Sequence, residues 1–207
     1  MMERGRIFIV SAPSGAGKST LVKGLLRQVP NLVFSVSYTT RLPRGQEVEG
    51  KEYHFVDRAV FEKMIAEDKF VEFALVFDQY YGTASGAIEE VIACGKDVLL
   101  DIDTIGAAQV RRKIPQAVSI FIMPPSYEVL RERLEHRKQD NSETIQKRLR
   151  WASEKEIYSY EDYDYVVVND NLSRTTELMC SIILAERCRK ERMMYRIQSI
   201  VKTFGGT

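Results

Sequence analysis

The 207-residue chain is 44% apolar and 29% charged, the make-up of an ordinary globular protein, long enough for one well-buried core with a subdomain and too short to require two independent domains. Its 30 basic and 29 acidic residues leave a net charge of +1, which gives no global attraction to nucleic acid or an acidic membrane, so any anion must be held by a local cluster. Three cysteines without C-x-x-C spacing and two histidines far apart argue against a zinc site and for a reducing cytoplasm, and the only apolar run near the N-terminus, Ile7–Val10, is too short for a secretory or spanning segment.

Arg6–Val10 reads as a buried strand and Thr20–Val29 as a helix with Leu21, Leu25 and Leu26 on one face and Pro30 just beyond its end. Between them lies Ser11-Ala12-Pro13-Ser14-Gly15-Ala16-Gly17-Lys18-Ser19-Thr20, which has the form of a phosphate-binding loop. Its backbone N–H groups can surround phosphate oxygens while the following helix turns its N-terminal dipole to the same anion. Lys18 would add a charge at the outer phosphates, and Ser19 a hydroxyl for a phosphate-bound magnesium ion. Ala12 stands where the full G-x-x-x-x-G-K-[ST] pattern has its first glycine.

Phe34–Tyr38 alternates apolar and small polar residues, as a half-buried strand does. From Thr39 to Ser85 the chain turns polar and glycine-punctuated, which reads as an inserted subdomain with strands at Tyr53–Val56 and Phe70–Phe77 around a helix at Arg58–Glu67. Helices are expected at Ala87–Ala93 and Gly106–Lys113, buried parallel strands at Asp97–Ile102 and Val118–Met123, and a last strand at Tyr165–Val168. Tyr127–Lys155 reads as two charged helices with a mobile turn at Lys138–Ser142, and Thr175–Lys202 as one C-terminal helix. Strands alternating with helices imply an α/β fold, a three-layer, doubly wound parallel sheet.

Ligands of such sheets collect at the carboxyl ends of the strands, where Asp101 and Asp103 are positioned to hold magnesium opposite Ser19 or simply to be solvated. Arg41 and Arg44, on either side of Pro43, suit one phosphate, because each guanidinium can donate bidentately and neither loses its charge. Tyr53 and Tyr81 can donate to the same phosphate or merely pack. Arg131, Arg133 and Arg137, then Lys147, Arg148 and Arg150, form a late cationic cluster that reads either as a solvated helix pair or as a flap over developing phosphoryl charge.

Ser11 to Ser19, Ser35-Val36-Ser37 with Thr39-Thr40-Arg41-Leu42-Pro43-Arg44, Tyr80-Tyr81-Gly82-Thr83, Asp101-Ile102-Asp103 and Val168-Asn169-Asp170 together resemble the bacterial type of guanylate kinase, in order and over nearly the whole chain. The resemblance implies transfer of the γ-phosphate of ATP to GMP and dGMP, with Mg2+, in the cytoplasm. It implies a single domain over 1–207, with 1–36, 87–126 and 160–207 as core, 37–86 as a GMP-binding subdomain and 127–159 as a lid. Ala12, Pro13, Ser14, Gly15, Ala16, Gly17, Lys18, Ser19, Thr20 and Asn169 would then hold ATP, and Ser19 with Asp101 the metal. Arg41, Arg44, Tyr53 and Tyr81 would hold the GMP phosphate, while Ser37, Glu72, Thr83 and Asp103 surround the guanine. Lys18, Arg41, Arg133, Arg137 and Arg148 would neutralise charge in transfer.

The family often has glycine where Lys138 stands, a basic residue in place of Ser85 and glutamine in place of Ile105, departures that remove no phosphate ligand. Two rivals are a catalytically silent interaction module, against which Gly15, Gly17, Lys18 and Ser19 argue, and a kinase of the same fold with another phosphorylated acceptor. Nucleic-acid binding has little support, since Tyr158, Tyr160, Tyr163 and Tyr165 are interleaved with Glu161, Asp162 and Asp164. The basic C-terminal helix reads as a solvated face or a homo-oligomer contact.

Overall fold

The computed structural model describes residues 4–76, 78–136 and 142–205; Arg137, Lys138 and most of the expected turn at Lys138–Ser142 lie outside them. In chain order the first elements are β1 (Ile7–Ser11), α1 (Lys18–Gln28), β2 (Leu32–Phe34), β3 (Tyr38–Thr39), β4 (His54–Phe55), α2 (Arg58–Ala66), β5 (Phe70–Val76), β6 (Gln79–Ala84) and α3 (Ser85–Ala93). Then follow β7 (Asp97–Asp101), α4 (Thr104–Lys113), β8 (Val118–Met123), α5 (Tyr127–His136), α6 (Ser142–Trp151), β9 (Tyr165–Val168), α7 (Leu172–Arg187) and α8 (Lys190–Thr203).

Every residue of β1 is buried, so both faces of the sheet around it are covered. Phe8 and Val10 enter one core with Leu21 and Leu25 of α1 and Met179 and Ile183 of α7, while Ile7 and Ile9 enter the other with Ile88 and Ile92 of α3 and Val110 of α4. Strand order in this sheet is β2-β7-β1-β8-β9, and all four pairings are parallel. The three-layer, doubly wound α/β architecture expected from the sequence is therefore the one observed. No helix among the described residues is long and apolar enough to cross a membrane.

A second, four-stranded sheet, ordered β4-β3-β6-β5, lies within the polar stretch. Helix α2 covers it with the fully buried Phe61, which stacks on Phe70 at 4.5 Å and on Tyr80 at 5.1 Å between ring centroids. The rings leave no space at Gly82, where a Cβ would lie 2.9 Å from Phe61 Cζ. Gln109 of α4 joins the two sheets, its amide accepting from Phe73 N–H at 3.2 Å and donating to Phe73 C=O at 2.6 Å. The outward N–H and C=O of Phe73 are thus satisfied as a neighbouring strand would satisfy them.

At the opposite end of the large sheet, two buried carboxylates tie in the C-terminal helices. Asp97 accepts from Arg6 N–H at 2.6 Å and Arg187 Nε at 2.8 Å; Glu186 pairs with Arg6, accepts from the Tyr165 hydroxyl at 2.5 Å and lies 2.9 Å from Arg189 Nε.

Two expectations need correction, at Phe34–Tyr38 and in the C-terminal helix, and two others gain detail. Phe34–Tyr38 is not one strand: β2 ends at Phe34 in the large sheet and β3 begins at Tyr38 in the small one, and both half-buried ends give the same alternation. The strand expected from Phe70 is observed as β5; it is one arm of a hairpin whose partner, β6, is too polar to be read as a strand, and whose turn carries Asp78 in the left-handed region at φ 63°. The helical reading to Lys155 is met, with the α-helix ending at Trp151 and the chain continuing through a π turn at Ala152–Glu156 and a 3-10 turn at Ile157–Asp162. The C-terminal helix is two, because Arg189 is extended (φ −56°, ψ 136°) between α7 and α8, with neither proline nor glycine to mark the break.

Candidate active site

The loop between β1 and α1 turns through Gly15 (φ 94°) and Gly17 (φ 95°), left-handed conformations that glycine adopts without steric cost. At Gly17 a Cβ would also come within 2.4 Å of Asn169 Nδ2. That amide donates to Ala16 C=O at 2.7 Å, and Arg133 reaches across from α5 to donate to Ala16 C=O at 3.2 Å and Asn169 C=O at 2.9 Å. Arg133 and Asn169 thus brace the loop from behind. Ser19 and Thr20, in the first turn of α1, are exposed.

Lys18 folds back over the strand ends. Its Nζ lies 2.5 Å from Asp101 Oδ1 and donates to Ile102 C=O at 3.0 Å. Burial disfavours the ammonium, but the Asp101 carboxylate, with smaller help from Tyr53 and Asp103, outweighs it and holds Lys18 above its ordinary value. Ser19 and Asp101 supply two oxygen donors beside the loop, and no group of three or more His, Cys, Asp or Glu among the described residues is placed to hold a metal by protein ligands alone. Such a sparse set fits Mg2+, which keeps waters and takes substrate phosphates for the rest of its octahedron.

The small sheet brings a second set of groups to face these. Arg41 is buried, its guanidinium held bidentately by Glu47 at 2.9 and 2.9 Å and centred 5.2 Å from the Tyr53 ring, whose centroid is 5.9 Å from that of Tyr81. Arg44 is exposed, and its N–H donates to the same Glu47 carboxylate at 2.8 Å. Burial pushes the Tyr53 phenol up, with Asp101 adding to the effect and Lys18 opposing it, so this cluster and the loop lysine share one electrostatic neighbourhood.

Deeper in the small sheet, Glu72 is 3% exposed, accepts from Thr83 Oγ1 at 2.5 Å, and is packed against Gly106 of α4. Thr83 Oγ1 lies 3.3 Å from Ser37 Oγ. A hydroxyl has one hydrogen, so with Glu72 ionised the relay runs from Ser37 to Thr83 to Glu72, and both hydroxyl oxygens are left as acceptors. Burial pushes the Glu72 carboxyl up to about 7; Thr83 opposes the shift and Asp103 adds to it. Asp103 itself caps α4, accepting from Gly106 N–H at 2.7 Å. On α6, Arg148 is half-buried.

The structure therefore brings together Lys18, Asp101, Asp103 and Glu72, and separately Arg41, Tyr53 and Tyr81. Three participants escape sequence reasoning. Glu47 follows Arg41 in a loop with no spacing rule, Gln109 is a helix residue whose amide bonds backbone, and the buried Glu156 accepts from Ser14 N–H at 3.3 Å. The contacts of Gln109 and Glu156 are distant in sequence, and that of Glu47 crosses an irregular loop, so no local spacing reveals them.

A glycine-turned loop between a buried parallel strand and a helix, with its lysine at the strand ends, defines a P-loop α/β protein with a second, polar site facing the phosphate loop. The guanylate kinase family model matches residues 4–186. A guanylate kinase of Methylococcus capsulatus is 46% identical over 200 residues, 97% of this chain and 98% of that protein, and one of Escherichia coli is 48% identical over 202 residues, 97% of each. The crystal structure of guanylate kinase from Anaplasma phagocytophilum superposes with a TM-score of 0.78 at 38% identity, covering 92% of this chain and 90% of that one. The chain belongs to the guanylate kinase family.

Proposed function

We infer that this protein transfers the γ-phosphate of ATP to GMP, giving ADP and GDP. The observation that carries this reading is the pairing of Lys18 with Asp101 at the phosphate loop, facing the buried Glu72–Thr83–Ser37 relay on the other sheet. Guanine presents N1–H and exocyclic N2–H as adjacent donors, which the Glu72 carboxylate accepts together, with Asp103 beside it; adenine would set a lone pair against that carboxylate. A buried polar group left unpaired by the wrong base supports discrimination of about 10⁴ to 10⁵. Arg41, Arg44, Tyr53 and Tyr81 hold the GMP phosphate, for which Arg41 exchanges its Glu47 partner.

The residues at 12–20 and Asn169 take the donor phosphates and their nucleoside. An oxygen of the GMP phosphate attacks the γ-phosphorus in line, the bond to the β–γ bridging oxygen breaks, and that oxygen leaves with the electron pair on ADP. The attacking oxygen is already ionised, so no protein base is required, and positioning plus charge neutralisation carry the rate. Lys18 moves from Asp101 to the outer phosphates, and Arg133, on release from the carbonyls of Ala16 and Asn169, covers the developing charge with Arg148 and Arg137. Ser19 and Asp101 would hold Mg2+, which when bound would supply charge neutralisation to the donor phosphates. The span 37–86 serves as the acceptor subdomain and 127–159 as the lid; three free cysteines, two of them exposed, fit the cytoplasm.

Turnover compared across GMP, dGMP, AMP, CMP and UMP with ATP as donor tests the reading. GMP is expected to lead, with dGMP next, and comparable rates with a pyrimidine acceptor would overturn it.

A further inference from the structure

Glu156 is a buried carboxylate with no part in the reaction as derived. It ends the π turn at Ala152–Glu156, which follows directly from Trp151, the last residue of α6, and it is 8% exposed. Its Oε2 accepts from Ser14 N–H at 3.3 Å, on the stretch of the phosphate loop before the glycines, and its charge interacts with those of Lys18 and Asp103. An acceptor at that N–H stands where an anionic oxygen of a nucleotide would be received, at the end of the loop that Lys18 serves. A π turn within a helical run is rare and recurs at functional positions. Here it is what brings the carboxylate from the end of α6 to the loop.

We propose that Glu156 is a positioning residue that fills the outer end of the phosphate loop before nucleotide arrives and, on being displaced by donor phosphates, transmits loop occupancy to helix α6. The proposal rests on the donor-phosphate reading of the loop given above. Phosphate and carboxylate carry like charge and compete for the Ser14 N–H, so the loop accepts one at a time. Release of Glu156 frees the base of α6, the helix that carries Arg148, so that this arginine shifts only when a donor is present.

The sole tryptophan of the chain, Trp151, is 40% exposed and lies five residues before Glu156, so its emission reports the base of α6. In the parent protein, ADP and inorganic pyrophosphate are each expected to change Trp151 fluorescence on binding. Glu156→Gln, which keeps the shape but removes the competing charge, is expected to bind both about threefold or more tightly, because a neutral amide oxygen holds the Ser14 N–H less strongly than a carboxylate and is displaced more readily. Its Trp151 response should shrink to a small fraction of the parent's, and kcat should fall more than KM for ATP changes. Glu156→Asp, whose carboxylate stops short of Ser14, should lose the same response with its charge retained. Thermal melts establish that both variants are folded. An undiminished Trp151 response in the folded variants, or weaker pyrophosphate binding by Glu156→Gln, overturns the proposal. Failure of ADP to bind the parent protein would instead overturn the reading of the loop.

Discussion

At Glu72 burial and recognition pull in opposite directions. Burial, with Asp103 adding to it, holds the carboxyl at about 7, whereas the two guanine donors need it ionised. KM for GMP is therefore expected to fall as pH rises through about 7, while KM for ATP does not follow; steady-state kinetics with each substrate varied checks this, and Glu72→Gln should weaken GMP throughout and abolish the trend. Stability runs the other way. The folded-state value lies above the ordinary 4.5, so the neutral form favours the fold, and its contribution is complete below about 4.5 and lost as pH rises through about 7. Melting temperature of the nucleotide-free protein should drop over that window, and less so in Glu72→Gln. Lys18→Ala should lower turnover by about 10² to 10³ or more with the far-UV circular dichroism unchanged, since it removes a charge aimed at the transferring group. Lys18, Ser19, Arg41 and Asp101 are legible in the sequence because local spacing or a strand end carries them. Glu47, Glu156 and the direction of the Ser37–Thr83 relay are not, because each depends on a partner brought close only by folding.

Among the elements, α4 and β5 form the junction that sets acceptor geometry. Asp103 caps α4, Gly106 touches Glu72, and Gln109 holds the backbone beside Glu72 through two bonds. Gln109→Ala should raise KM for GMP about tenfold while leaving KM for ATP within about twofold, since losing this brace frees β5 without touching the phosphate loop. A Gln109→Ala protein with both constants unchanged would remove α4 from the recognition of guanine. The strands of the large sheet are plain in the sequence because continuous apolar runs such as Ile7–Val10 and Val118–Met123 fit buried parallel strands. The small sheet is obscured for a matching reason. Strand β5 is legible as an apolar run, but β3 and β4 are two residues each and β6 carries Tyr80, Tyr81, Gly82 and Thr83, so β6 shows no alternation. The π turn and the break at Arg189 also escape, because each is stabilised by side-chain contacts and not by proline or glycine.

For the molecule as a whole, the two ends of the large sheet have different duties. One end carries the site, and the other carries Asp97 and Glu186, whose partners Arg6, Tyr165, Arg187 and Arg189 fasten the first strand, the last strand and the C-terminal helices together. Glu186→Ala leaves Arg6 and Arg189 without their carboxylate and should cost about 3 kcal/mol of unfolding free energy, measured by urea denaturation, with KM for both nucleotides unchanged. The division into two sheets also has a bearing on inheritance. On the proposed assignment, the groups beside the first strand that would take the donor phosphates lie within residues 12–20, and Ser37 and the four-stranded sheet are encoded without interruption from Ser37 to Ala84. A recombination that replaced this cassette would exchange the acceptor and leave the donor half untouched, provided the incoming piece matched two residues it does not contain, Asp103 and Gln109. Those two positions are where a lineage changing its substrate would have to mutate in step with the graft.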